Sequence, residues 1–462
     1  MRPAFQRRAG QAGQALVLGL IVLALLLGGW VAAHWTARMA GASARLTHVA
    51  DAVAYSGALM QARQLNLLAY IHRAQLAHQV AMAHLATLIA WRQLGLTQAR
   101  RRAMGNPPAF LIGRLFGPRF AQAYGASPSG SSSDSYDAAA LQASLKRHDS
   151  VVHRILAEVA RQQWRRAVPL RDAHMARVLQ ANYVSSTSSR TGVPVMHVHD
   201  DNFPRLLAWQ SPSDAQGLQA LTQTVARRFA FLRPRDLTWA SAWIVQPRCP
   251  NTRHQLRRRG HTFLDAQGRW GASDTLSFHA LRSNRWIGCY FREYPMGWAT
   301  TGATRWTRGR HYVERPLAEF SSQDFWRWYS QYSGLHAGAW RNNPLASSYA
   351  MRDRHAAPQG AGLPDVLGLS AQGLRQPKAS FRLSLRTSLA VSDLGQAWAI
   401  PRLGDADAWW RARRLARVSA AETYFAAPAA PTGGPAELPS LFRPYWQARL
   451  VAANNATHGA RP

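Results

Sequence analysis

Nineteen consecutive uncharged residues, Ala15 to Ala33, constrain this chain more than any other feature. As a helix rising 1.5 Å per residue, that run is about 28 Å long, close to the hydrocarbon thickness of a bilayer. Arg2, Arg7 and Arg8 precede it, no acidic residue occurs before Asp51, and Arg38 and Arg45 follow more sparsely. This bias predicts a cytoplasmic N-terminus and export of everything downstream. A cleaved signal peptide is the rival, with Val31-Ala32-Ala33 as its cleavage site. The apolar run is longer than a signal core and helix-forming sequence continues past the cut, so a retained anchor is expected.

Proline is absent from Gln14 to Asn106, so the same helix is expected to continue as a long stalk outside the membrane. Arg100-Arg101-Arg102 suits the negative end of its dipole, and Gly105-Asn106-Pro107-Pro108 ends the pattern. Ala50, Ala54, Ala58 and Ala62 fall in one row along it. Two readings fit that row: a small-residue face for close packing of a second helix, or alanine as the best helix former. There is no clean seven-residue apolar repeat, so a regular coiled coil is not indicated. His72, His78 and His84 are six apart, about 240° of rotation per step, and cannot share a face; they are expected as polar surface or groove residues.

With 462 residues and 47 % hydrophobic content, the chain has room for soluble domains besides one anchor and is not polytopic. Its net charge is +33, and Lys146 and Lys378 are the only lysines among 56 basic residues. Such a surplus seeks anions such as phospholipid headgroups, nucleic acid or acidic chains, although spread arginines mostly serve as solvated surface. Cys249 and Cys289 lie beyond the presumed crossing, in an oxidising compartment, and fit one disulfide; two independent buried thiols are the alternative. Neither has a CxxC or zinc-ligand spacing.

In order, the chain reads as a basic cytoplasmic tail (1–13), a transmembrane helix (14–34), a helical stalk (35–104) and a flexible Gly/Ser-rich loop (105–135). A helical segment (136–189) follows, with Leu141, Leu145, Val152, Ile155, Leu156, Val159 and Trp164 at three- and four-residue steps, suited to antiparallel packing on the stalk. Residues 190–450 read as an α+β exported head and 451–462 as a disordered tail. Strands are expected at 237–245, 275–279, 286–291 and 381–389, a hairpin turn at Asp265–Gly268, and a short helix at 322–329.

The residues also carry a family resemblance. Gly13-Gln14-Ala15-Leu16-Val17, then Ala50-Asp51-Ala52-Val53-Ala54-Tyr55-Ser56-Gly57-Ala58 and Gln61-Ala62-Arg63-Gln64-Leu65-Asn66, resemble the start of TadE/TadG-like proteins of the Flp (Tad) pilus-assembly group. Ala421-Glu422-Thr423-Tyr424-Phe425 and Leu441 to Leu450 resemble their closing segment. The resemblance implies a bitopic inner-membrane protein with pilin-like anchoring, a minor pilin or assembly component of a type IV-like pilus or secretion system. It implies no enzyme, no cofactor and no small-molecule substrate. Its partners would be the inner membrane and other pilus-assembly proteins, met through the N-terminal helix. Pilins of the wider group are cut after a glycine and carry glutamate five residues on. Cutting between Gly13 and Gln14 puts Leu18 there, and cutting after Gly10 puts Ala15 there, so no removal of residues 1–13 is expected.

Other chemistry is sparse. There is no HExxH, GxxxxGK, GxSxG or dinucleotide fingerprint. His197-Val198-His199-Asp200-Asp201 places two imidazoles on one face of a strand, a usable metal arrangement without further visible ligands. Asp405 and Asp407 read as helix-start residues. Arginine adjoins tryptophan at Arg305-Trp306, Trp326-Arg327-Trp328, Trp340-Arg341 and Trp410-Arg411. Such pairs grip DNA or acidic envelope polysaccharide, or simply lay arginine stems on aromatic surface. An exported binding module for anionic polymer is therefore the second function class, and a hydrolase, needing acids that are scarce here, the third.

Overall fold

A computed structural model describes residues 12–103, 108–126, 138–183, 194–210, 218–233, 235–244, 247, 252–264, 268–277, 281–284, 288–291, 294–300, 360–370, 380–391, 413–428 and 438–453. It is a mixed helix-and-strand protein built on one long N-terminal apolar helix, α1 (Ala12–Ala103). Its 92 residues make a rod of about 138 Å at 1.5 Å per residue. Without an internal proline, every interior amide keeps its i−4 partner.

The surroundings of α1 change along its length. Leu16 to Val31 is exposed on all sides, whereas Leu46, Val49, Ala50, Val53 and Ala54 are buried, and burial continues to Leu94. The helix α4 (Ala138–Ser150), a π-helical turn (Val151–Leu156) and α5 (Ala157–Tyr183) cover one side. They run antiparallel to α1: His78 meets His148, the Gln64 amide donates to the Ala167 carbonyl (3.0 Å), and Arg45 donates to the Asn182 carbonyl (3.0 Å).

A second side is covered by an antiparallel sheet of β1 (Val195–Asp201), β10 (Ser380–Ala390), β11 (Arg414–Phe425) and β12 (Trp446–Val451), in that spatial order. β10 alternates strictly, with Phe381, Leu383, Leu385, Thr387 and Leu389 buried, as period-2 side chains on a half-covered sheet must. Leu383, Leu385, Leu389 and Ala421 close on Leu46 to Ala58 of α1 and on Met175, Leu179 and Tyr183 of α5. The antiparallel pair β2 (Leu207–Gln210) and β9 (Val366–Leu369) packs beside it, placing Leu207, Leu367 and Leu369 with Leu65, Leu68, Phe381 and Trp446.

Between β2 and β9 the chain inserts a second lobe. The helix α6 (Leu218–Ala226) leads into a sheet ordered β3 (Arg235–Ala240), β4 (Gln255–Leu264), β5 (Trp270–Ser277), β8 (Tyr294–Thr300), with β6 (Leu281–Asn284) and β7 (Gly288–Phe291) pairing separately. Trp270, Ala272 and Ala299 pack on Met82, Ala83, Ala86, Ile89 and Ala90. One helix is thus the common core of two lobes strung along it.

Several expectations need correction. From Leu46 on, α1 is not a stalk holding a head at a distance: its Ala, Leu and Gln side chains are the head's interior. The head therefore draws on α1 and α5, not on 190–450 alone. Part of 105–135 is helical, as α2 (Ala109–Phe116) and α3 (Pro118–Gly125), because Ile112, Leu115, Phe116 and Tyr124 bury against Leu94 and Leu256. Gly117, at φ 103°, makes the corner between them, a backbone region in which glycine carries no Cβ penalty. β3 ends at Ala240, short of the expected 245. β5 and β7 begin at Trp270 and Gly288, away from the expected 275 and 286. β4 and β5 pair antiparallel on either side of the expected turn; Gly268 of it has φ 72°, and residues 265–267 lie outside the described residues.

Candidate functional site: an uncovered anchor and a polar seam

Among the described residues nothing covers Leu16 to Val31 of α1. Leu25 is 71 % exposed and Trp30 66 %, and a Cβ added at Gly19, Gly28 or Gly29 would meet nothing within 4 Å. Each aliphatic side chain left in water forgoes about 1.5–3 kcal/mol of burial, so a run of this length requires an apolar phase or partner. Among the described residues α1 is the one helix long and apolar enough to cross a membrane. Trp30 stacks on His34 (5.6 Å between ring centroids), and Trp35 is one residue further on, where amphipathic rings suit a bilayer–water boundary. Gly13 and Gln14 lie in the first turn of α1.

Where the head takes over, α1 presents a polar seam. Ser419 of β11 donates to the Asp51 carboxylate (2.6 Å). Thr423 Oγ1 donates to the Ala58 carbonyl (2.8 Å) and lies 3.0 Å from Gln61 Oε1. The Asn66 amide acts as a mock peptide at the start of β12: its Nδ2 donates to the Trp446 carbonyl (2.9 Å) and its Oδ1 accepts the Trp446 N–H (3.0 Å). His72 Nδ1 donates to the Leu441 carbonyl (2.9 Å). Gln79 Oε1 accepts from Trp270 Nε1 (3.1 Å), and Thr87 meets Thr262 (2.8 Å). Buried polar groups cost little only when paired, so these bonds specify which strand residue sits at which helical turn.

Ala50, Ala54, Ala58 and Ala62 are all buried, the first three at 0 % exposure. Ala50, Ala54 and Ala58 lie in the cluster formed with α5 and β10, and Ala62 in the one with Phe381 and Trp446. Gly57 belongs to the same close approach: an added Cβ would sit 2.6 Å from Leu383 Cδ2 and 2.7 Å from Met175 Sδ.

The three helix histidines do face different neighbours. His72 is not a surface residue: it is fully buried beside Phe442 (5.2 Å), and burial pushes its pKa down to about 4 against the opposing pull of the Leu441 carbonyl. It is therefore a neutral imidazole with its proton on Nδ1. His78 Nδ1 lies 2.7 Å from His148 Nδ1, and partial burial lowers both. His84 packs on Phe231 (4.5 Å). Two charged groups are also interior. Arg171 donates to Asp172 (2.9 Å) and Asp201 (2.6 Å), pinning α5 to β1. Asp274 accepts from Arg235 (3.1 Å) above Trp91, and burial pushes its carboxyl up while Arg235 pulls it down.

His197 and His199 share the outer face of β1, ring centroids 5.1 Å apart. Their neighbour there is Arg386, paired with His197 across the strands, while Asp201 is taken by Arg171. Among the described residues no three His, Cys, Asp or Glu side chains converge as a metal site. Cys249 lies outside the described residues and only the backbone of Cys289, in β7, lies within them. The four arginine–tryptophan pairs, the helix expected at 322–329 and Asp405 and Asp407 also lie outside them. Gln61, Asn66 and Thr423 lie in the segments quoted for the resemblance, but sequence reasoning gave neither them nor Gln79 a structural role; on α1 their three- and four-residue spacing from the buried alanines and leucines was a further signal.

Fold and site define a class: a mixed helix-and-strand protein with a single N-terminal apolar helix, uncovered at one end and sheathed at the other. No family model, curated protein or solved structure matches the chain.

Proposed function

We propose that this protein is a non-enzymatic, membrane-anchored assembly component, a minor pilin or accessory protein, of a Flp/Tad-type pilus or secretion system. Residues 14–34 would cross the inner membrane with residues 1–13 in the cytoplasm and the head outside. The observation that carries the reading is the continuity of α1. One unbroken helix supplies both the uncovered apolar segment and the packed core of the head, so the head is fixed rigidly to whatever embeds that segment. That rigid coupling suits a subunit that presents an exported domain to neighbours gathered around its anchor.

The reading is tested by adding protease to spheroplasts and by fusing a C-terminal reporter, with and without the pilus machinery. Digestion of the head from outside, and a change in reporter fractionation when the machinery is absent, are expected. A protected head overturns the topology, and a distribution indifferent to the machinery overturns the pilus role.

A further inference from the structure

We propose that the membrane-proximal rim of the head, carried by Arg45, Arg414 and Arg417, seats on acidic phospholipid headgroups. This rests on the reading of Leu16 to Val31 as a membrane span. β11 runs beside α1 in the same direction: Arg417 donates to the Ser43 hydroxyl, Ser419 to Asp51 and Thr423 to the Ala58 carbonyl. Four strand residues cover about 13 Å and seven helical residues about 11 Å, so strand and helix climb nearly in step. Extrapolated down, Arg414 stands level with about residue 40 of α1, roughly 10 Å beyond Ala33. The headgroup layer fills about 5–8 Å of that distance, and the Arg414 side chain spans the remainder; the Arg417 guanidinium, at Ser43, and Arg45 stand about 15 and 18 Å beyond Ala33, a second tier within about one Debye length of the headgroup surface. Arg38 and Arg413 belong to the level of Arg414.

The chemistry of the rim fits a phosphate surface. Arg45 lies over the Tyr183 ring (5.0 Å) and donates to the Asn182 carbonyl. Arg414 donates to the Ser388 hydroxyl (3.2 Å) and carbonyl, and Arg417 to the Ala416 carbonyl (3.1 Å) as well as to Ser43. No described carboxylate pairs with these three guanidiniums; Asp51, the first acid on α1, accepts from Ser419 instead. The neutral acceptors hold each planar group in place and leave its other donors available to an anion. Val195, 57 % exposed, opens β1 opposite Ser388 and adds an apolar contact on the same edge. The head therefore stands on the bilayer, oriented by charge, instead of swinging on a bare helix.

The test uses the full chain reconstituted in phosphatidylcholine with trace spin-labelled phosphatidylglycerol or phosphatidylcholine. The relative association of the two labels with the protein is read from the motionally restricted component. The phosphatidylglycerol preference is expected to fall about twofold or more from wild type to R45Q/R414Q/R417Q, to survive in R45K/R414K/R417K, and to fade in 0.5 M salt. Residues 1–13 are unchanged in both variants, so their contribution cancels, and circular dichroism establishes that each variant is folded. An equal preference in wild type and the folded glutamine variant overturns the proposal and leaves the rim to an acidic protein partner. Loss in the lysine variant overturns it too, since headgroup attraction needs the charge alone. Absence of a restricted component for either label overturns the anchoring reading itself, a different outcome from insertion without selectivity.

Discussion

Substituting Gly57 separates a free stalk from a sheathed one by the sign of the effect. In a solvated helix, glycine to alanine stabilises by about 1 kcal/mol and glycine to leucine by nearly as much. In this structure the Gly57 Cβ position is 2.6 Å from Leu383 Cδ2 and 2.7 Å from Met175 Sδ, and both neighbours are 0 % exposed. Overpacking of about 1–3 kcal/mol therefore opposes the propensity gain. Gly57→Ala should be neutral to about 2 kcal/mol destabilising. Gly57→Leu, whose three further carbons have nowhere to go, should lose about 3 kcal/mol or more. Gly41, where an added Cβ meets nothing within 4 Å, is the internal control, and Gly41→Ala should gain up to about 1 kcal/mol. Thermal unfolding of the detergent-solubilised full chain, followed by near-ultraviolet circular dichroism, reads each change at about 2–4 °C per kcal/mol for a unit of 150–250 residues. A Gly57→Leu protein that melts at or above the wild-type temperature would refute the packing of β10 and α5 on α1.

Three further outcomes follow from the seam and the buried charges. His72 has a folded pKa near 4 against about 6.5 when unfolded, so the unfolded chain binds its proton first as pH falls. Stability should be full above pH 6.5, decline by about 3 kcal/mol down to pH 4 and lose no more from this group below that; urea midpoints of wild type and His72→Gln across that window check it, and an unchanged slope in the variant would exclude His72 as its source. Asn66→Ala strands both the N–H and the carbonyl of Trp446 and should cost about 1–3 kcal/mol, read as faster hydrogen exchange at the Trp446 amide, with unchanged protection counting against the contact. Arg171→Ala and Arg171→Met both leave Asp201 without its charged partner, so each should cost about 3–5 kcal/mol; a methionine variant nearly as stable as wild type in chemical denaturation would mean that packing, not charge, holds α5 to β1.

Legibility in the sequence tracked how local each cause is. The unbroken helix was readable because it needs only the absence of proline, and β10 because Phe381 to Leu389 alternates in strict period two. β4 was hidden by Arg257-Arg258-Arg259, whose charges mask the alternation. β11 opens on Arg414 and buries alanine, serine and threonine, not large apolar residues. The seam on α1 has a seven-residue rhythm after all. Ala54, Ala58, Gln61, Leu65, Leu68, His72, Gln75, Gln79, Met82 and Ala86 step alternately by four and three, and all are buried. A search for apolar periodicity passes over it because four of those positions are polar. Glutamine and histidine are ordinarily solvated, and here their partners lie far away in sequence, as with Gln79 and Trp270 of β5 or His72 and Leu441. The insertion of β3 to β8 between β2 and β9 has no local signature, since strand order is decided by which faces the common helix still offers.

Alkaline carbonate extraction of membranes carrying the full chain bears most directly on the central claim, that the uncovered end of α1 lies in a bilayer and holds the head there. Full-length protein retained with the sedimented membranes is the predicted result. Full-length protein washed into the supernatant would contradict it.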